Sequence, residues 1–416
     1  MGLFLNRKTF VLKSLALTVT ALMVTTANAA TSDQEEIKQL REEVEALKAL
    51  VQQQQQVQQQ QQVKLQEVAS QPAAPQSPLA SLKSKAGADV NLYGFVRADA
   101  SYQAKGGDGI FNRINEVDLN KAGDEKNDDR LYSTAATSRI GLDFKAPVQG
   151  ADVGGKIEID FRGSGDTVRI RHAYLNYNNW LFGQTTSSFL STETQPEMLD
   201  FNSPLGIGTK RTPMVRYSDK LDANTQYFVG LEKGRDENRL PAATAKISHK
   251  LGDTALLTGR ALIQEVRARA ADDATEFGWG VGLGAKLNLA EQLTVFGDYS
   301  HVKGDNFFLL YTENPYQVET NKTDIELTDI DAVTVGATYK ITPKLRSTIG
   351  YGAAFYDDST LGADANEKLQ QGWLNVMYSP VKPITFGTEY VYGERETVGG
   401  AKGRDSRLGV MAKYDF

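Results

Sequence analysis

The sequence predicts an all-β transmembrane barrel of about 16 antiparallel strands, preceded by an N-terminal helical coiled-coil extension. Three observations point there. From Val90 to Phe416 apolar and polar residues alternate with a period of two, and tight connections between these segments alternate with long ones. Past residue 25 the chain also lacks the apolar run of about 20 residues that a membrane helix needs.

Composition removes the competing classes. The 416 residues include no Cys, 37 Gly, 17 Tyr, 17 Phe and only 3 His. Without Cys there is no disulfide scaffold, thiolate metal site or Cys nucleophile. A formal net charge of −6 argues against a nucleic-acid partner, which a basic face would recognise. Mean hydropathy is −0.39, as expected where only alternate strand residues face an apolar phase.

The first element is a secretory signal peptide, residues 1–29. Arg7, Lys8 and Lys13 form the basic start, Leu15 to Val24 the short apolar stretch, and Ala27-Asn28-Ala29 the small-residue cleavage site. Residues 33–70 follow as a coiled-coil segment. Ile37, Val44, Val51, Gln58 and Leu65 occupy one seam position, and Leu40, Leu47, Gln54, Gln61 and Val68 the other. Glutamines in the middle of that seam leave a Gln-rich spacer as the alternative reading. Pro72, Pro75 and Pro78 stop the helix, giving a linker over 71–88.

Residues 89–416 form the barrel domain. Val96, Ala98 and Ala100 alternate with Arg97, Asp99 and Ser101 at its start, and Leu408, Val410, Ala412 and Tyr414 with Arg407, Gly409, Met411 and Lys413 at its end. Tight connections at 147–151, 219–222, 251–254, 289–292, 341–344 and 380–383 interleave with long ones at 104–131, 189–210 and 304–330. Short turns on one side and long loops on the other are the pattern of a bacterial outer-membrane barrel. Tyr93, Trp180, Tyr339, Tyr378, Tyr390, Tyr392 and Tyr414 suit aromatic girdles at the two lipid interfaces. Tyr414 and Phe416 share one face of the last strand, an end that resembles the terminal signal by which bacterial outer-membrane proteins are passed to their insertion machinery.

Four segments carry a family resemblance. Leu92-Tyr93-Gly94-Phe95, Ser138-Arg139-Ile140-Gly141-Leu142, Arg171-His172-Ala173-Tyr174-Leu175 and Phe182-Gly183-Gln184-Thr185 resemble general trimeric porins. With the added heptads, the whole chain resembles the DcaP-type trimeric outer-membrane porins of Gram-negative bacteria. The resemblance implies a homotrimer in outer-membrane lipid, its coiled coil in the periplasm, passing small anionic solutes such as dicarboxylates. It also implies that the third loop folds into the barrel and narrows it, which makes Glu193, Glu197, Asp200 and Lys210 the candidate constriction residues.

Parity adds a reading of the pore wall. Arg97, Arg139, Arg169, Arg171, Arg216 and Arg260 fall on lumen positions and form the candidate substrate path. Lys156, Lys246, Arg346 and Arg407 join them, against the lumen acids Asp99, Asp143, Glu158, Asp160, Glu232, Asp298, Glu389 and Asp415. The excess acid of the chain crowds two loops, with Asp108, Glu116, Asp118, Asp124, Glu125, Asp128 and Asp129 in the first, and Glu313, Glu319, Asp324, Glu326 and Asp329 in the sixth. A basic lumen concentrates anions, and the planar fork of Arg suits carboxylates. Gly278, Gly280, Gly282 and Gly284 share one face, leaving room for an inserted loop or for a tightly curved strand.

Catalysis finds no support. His172, His249 and His301 stand on separate strands with no nucleophile beside them, and no His or carboxylate pair has metal-ligand spacing, so the reading is a non-enzymatic channel without metal or cofactor. The alternatives are a non-selective general porin and an envelope tether using the coiled coil.

Overall fold

In a computed structural model the described residues are 82–84, 87–111, 113–119, 127–148, 150–202, 204–269, 271–309, 315–319, 324–357 and 361–416. The expected signal peptide, the coiled coil and the linker up to residue 81 lie outside them, as do Asp124, Glu125 and Glu313.

The described chain is a closed antiparallel barrel of 16 strands. In order they are β1 (Asp89–Lys105), β2 (Arg130–Thr134 continued by Arg139–Val148), β3 (Ala151–Asp160), β4 (Arg169–Tyr177), β5 (Trp180–Thr186), β6 (Arg211–Lys220), β7 (Thr225–Glu232) and β8 (Ala242–Leu251). The second half comprises β9 (Ala255–Ala268), β10 (Ala274–Asn288), β11 (Leu293–Lys303), β12 (Asp329–Thr342), β13 (Leu345–Tyr356), β14 (Asn366–Tyr378), β15 (Ile384–Thr397) and β16 (Lys402–Asp415). Each strand pairs with the next. β16 closes on β1 from Phe95↔Asp415 to Lys105↔Ser406, and Gly94 and Phe416 exchange two backbone hydrogen bonds of 3.0 Å at the seam. A two-residue strand, Leu82–Lys83, adds to the start of β1.

Closure follows from the medium. A lipid-exposed strand edge would leave its N–H and C=O groups without partners, and a barrel has no edge. Apolar side chains such as Val229, Leu231, Leu283 and Ile349 point out and stay exposed, while their neighbours point in and are buried. Trp180, Tyr339, Tyr378 and Tyr414 are exposed near the short-turn end, with Tyr390 and Tyr392 farther up the outer face. Tyr93 departs from the girdle expectation. It points into the lumen, where its hydroxyl donates to Glu158 at 2.9 Å and its ring lies under the Lys156 ammonium.

Tight and long connections alternate as the sequence suggested, with small shifts. The expected turn at 219–222 sits at 221–224, because β6 runs on to Lys220. A further turn, Asn178-Asn179, joins β4 to β5, with Asn178 in the left-handed region at φ 51°. One bulge matters for the pore. In β4, Ile170 pairs with Ile159 and His172 with Glu158, so Arg171 is the extra residue. Arg171 and His172 therefore both face inward, and strict alternation fails from His172 onward.

The apolar core lies inside the barrel. Phe189, Leu190 and Leu205 of the third loop (187–210), with Phe308 and Leu309 of the sixth (304–328) and Ile114 and Val117 of the first (106–129), pack against Leu262, Ile330, Ala354 and Leu369 on the inner face of β9 and β12–β14. This fills one side of the lumen and leaves the β1–β8 side to polar residues.

Candidate channel lumen and constriction

The third loop is fastened across the barrel by its own acids. Glu193 meets the Lys246 ammonium of β8 at 2.7 Å, Glu197 grips both Arg346 nitrogens of β13 at 2.6 and 2.7 Å, and Asp200 meets Arg407 of β16 at 2.5 Å. Backbone ties complete the seam. Glu389 of β15 accepts the N–H groups of Leu199 at 2.7 Å and Asp200 at 3.0 Å, while Trp373 and Asn375 each donate to the Glu197 carbonyl at 3.0 Å. Burial alone would push the Glu193 carboxyl up; the Lys246 ammonium outweighs it and holds the group below the usual carboxylate range.

Glycines on the wall allow this approach. A Cβ at Gly280 would stand 3.0 Å from the Phe189 ring, one at Gly284 2.6 Å from the Thr194 hydroxyl, and one at Gly336 2.6 Å from Pro196. At Gly352 it would run into the Leu205 carbonyl. Of the two readings of the β10 glycines, room for an inserted loop therefore holds at Gly280 and Gly284. Gly282 instead admits the Arg260 guanidinium, at 2.6 Å.

The expected basic path divides into two groups. Arg97 is chelated by Asp99 at 2.7–3.0 Å and donates to the Leu199 carbonyl. Arg169 holds Asp160 at 2.7 and 2.9 Å, and Arg171 bridges Glu158 at 2.7 Å and Asp160 at 2.9 Å. Arg260 pairs with Asp298 at 2.8 Å, and both side chains are 1% exposed. That pair is enclosed beneath the third loop, where the Thr194 hydroxyl also donates to Asp298 at 3.1 Å. Arg139 and Arg216 differ. Arg139 is 3.8 Å from Glu158 and lies over the Phe201 and Phe95 rings at 5.0 and 5.2 Å, and Arg216 lies 5.3 Å from the Phe228 ring.

The other constriction candidates also separate. Glu193, Glu197 and Asp200 lie on the inserted loop. Lys210 stands at the loop's base, where its carbonyl accepts from the Ser187 N–H at 3.0 Å, with its ammonium 3.5 Å from the Phe307 centroid. Two residues that parity did not flag belong to the constriction. Phe201 at the loop tip covers Arg97, Arg139 and Arg171 at 5.0–5.6 Å and meets Phe111 of the first loop at 5.9 Å. Arg211, whose odd number parity assigns to lipid, lies in electrostatic range of Arg139, Arg169 and Arg171, with no carboxylate within 4 Å among the described residues. Only the return of the third loop at its base could have revealed it.

Comparison with known proteins bears on this geometry. A family model described as DcaP outer membrane protein matches residues 20–416. The chain belongs to the DcaP outer membrane protein family. The crystal structure of the outer membrane channel DcaP of Acinetobacter baumannii is 48% identical, covering 81% of this chain and 100% of that one, with a TM-score of 0.77. More distant porins share the fold alone. OmpF of Salmonella typhi, in complex with daunomycin, is 15% identical at a TM-score of 0.55, covering 80% of this chain and 99% of that one. OmpT of Vibrio cholerae in a trimer form is 15% identical at 0.53, covering 79% and 99%. No curated protein matches the chain. This DcaP-family chain is thus an outer-membrane channel protein.

Proposed function

We propose that this DcaP-family channel selects small organic anions, dicarboxylates among them. One observation carries the reading. The acids of the third loop are spent on Lys246, Arg346 and Arg407, so the loop adds no free negative charge to the path, while among the described residues Arg139, Arg211 and Arg216 have no carboxylate in hydrogen-bond range, Glu158 standing 3.8 Å from Arg139. A guanidinium in a narrow, low-dielectric passage attracts an anion more strongly than it would in water. The tightly paired arginines Arg97, Arg169 and Arg171 supply background field, and Arg139, only loosely paired with Glu158 at 3.8 Å, supplies successive weak handholds with Arg211 and Arg216. Conduction needs that weakness, since a solute held tightly at one site blocks the pore.

The rest of the assembly follows the same reading. The chain is exported by its signal peptide, inserted through the Tyr414/Phe416 end of β16, and trimerises in outer-membrane lipid with its coiled coil in the periplasm.

Reversal potentials across planar bilayers in a KCl gradient test the selectivity. Wild type should favour chloride, and Arg139→Glu with Arg216→Glu should reverse or abolish the preference. Equal permeability of both ions in wild type would make the protein a general porin. Retention on peptidoglycan that requires residues 33–70 would instead favour the tether.

A further inference from the structure

A second basic site shares Arg211 with the constriction. A cavity of about 930 Å³ opens between the fourth loop (233–241), the base of the third and the short strand Tyr316–Val318 of the sixth, which pairs with Ile325–Leu327. That volume suits a small-molecule site, where typical pockets run from about 300 to 1,000 Å³. Phe307, Pro315, Tyr316 and Val318 give it an apolar side, and Lys210, Arg211, Lys233, Arg235 and Arg267 give it five cations against the acids Asp236, Glu237 and Asp305.

Most of those charges are spoken for. Arg235 donates to Asp305 at 2.7 Å, Lys233 meets Asp236 at 2.5 Å, and Arg267 meets Asp273 at 2.8 Å. Asp305, in the sixth loop, is 1% exposed, and the oxygen that accepts from Arg235 also accepts the Phe307 N–H at 3.0 Å, so it is already engaged. Lys210 and Arg211 remain without a carboxylate within 4 Å among the described residues. Among the described residues Lys210 meets the Phe307 face, at 3.5 Å, and feels the Asp305 and Asp236 charges only from farther off. Burial, and then the nearby Arg235, pull its ammonium below the usual lysine value, the mark of a half-buried cation short of a counter-charge.

We infer that this cavity is an outer capture site for organic anions that combine a carboxylate with an apolar body. The carboxylate would meet Lys210 and Arg211, while the apolar part rests on Phe307 and Tyr316. Arg211 also borders the lumen arginines, so an anion held here is one step from the constriction. The inference rests on the anion-channel reading and adds a site to it. A carboxylate without an apolar body gains only the charge contact, so hexanoate should bind more tightly than acetate.

The site predicts a sided effect. Hexanoate added at the long-loop face of oriented channels should reduce chloride current at lower concentration than acetate, and at lower concentration than hexanoate added at the turn face. Lys210→Gln should weaken the long-loop-side block by about tenfold, as expected for losing one charge-assisted hydrogen bond, and Phe307→Ala should remove the preference for hexanoate over acetate. Block from the turn face is the internal control in the same channels and should keep its wild-type affinity. Equal block from both faces, or a long-loop-side block indifferent to Lys210→Gln and Phe307→Ala, overturns the capture site. A wild-type channel that prefers cations overturns the anion-channel reading instead, so the two failures are told apart.

Discussion

Glu197 and Arg346 form a two-pronged ion pair, with oxygen–nitrogen distances of 2.6 and 2.7 Å, that pins the middle of the third loop to β13. Both side chains are a third exposed, so the pair contributes on the order of 1 kcal/mol or less. Glu389 is the stronger tie. It is buried and holds two loop N–H groups, and its removal leaves both donors without an acceptor, at about 1–3 kcal/mol each. Glu389→Leu should therefore raise open-channel noise and shift conductance more than Glu197→Ala does. Single-channel recordings that rank the two variants the other way would mean the loop is held through its carboxylates and not through its backbone.

The glycine track makes a separate prediction. Gly352→Val would place a branched side chain on the Leu205 backbone, which a rotamer change cannot relieve, and Gly336→Val would press on Pro196. Both should push the third loop off the wall and change conductance while the barrel still resists heat on gels. Gly297→Ala is the matched control, because a Cβ there meets nothing within 4 Å. A Gly352→Val channel with wild-type conductance would show that the loop does not depend on this approach.

Strand alternation and the inward facing of Arg97, Arg139, Arg169, Arg171, Arg216 and Arg260 were legible because period two is a local property, whereas Arg211 escaped it. The pairing of those arginines was not. Glu197 and Arg346 are 149 residues apart, and Arg97 reaches Leu199 over 102, so only closure of the barrel brings them together. The bulge at Arg171 hid His172 in the same way. Parity placed Arg171 correctly because it precedes the shift, but gave no sign that the next residue would also turn inward to meet Thr185 at 2.9 Å. Phe201 escaped because nothing in a loop sequence says which aromatic will stack on a wall formed by other strands.

That pairing separates the arginines by experiment. Arg260 and Asp298 are both enclosed, so Arg260→Met strands a buried carboxylate and should destabilise the barrel by about 3–5 kcal/mol, with the reversal potential of any folded channel unchanged. Arg139→Met should do the opposite. It breaks no hydrogen bond, costs little stability, and moves the reversal potential toward zero. Urea midpoints and reversal potentials measured on both variants check the assignment, and a selectivity loss in Arg260→Met equal to that in Arg139→Met would return Arg260 to the path.

The capture site should also be pH-dependent, with a sign set by Lys210. Its ammonium is held below the usual lysine value, first by burial and then by repulsion from Arg235. The charged form is the one that binds a carboxylate, so block by hexanoate from the long-loop face is strongest at pH values well below the lowered one. It weakens as pH rises through the lowered value, earlier than an exposed lysine would allow. A bound anion favours the proton, so the midpoint should move up as hexanoate concentration increases. Lys210→Arg fixes the charge across this range and should keep the block at alkaline pH, whereas Lys210→Gln should give a weak, flat profile. If Lys210→Arg loses block along the same curve as wild type, another group titrates and Lys210 is not the residue that holds the solute.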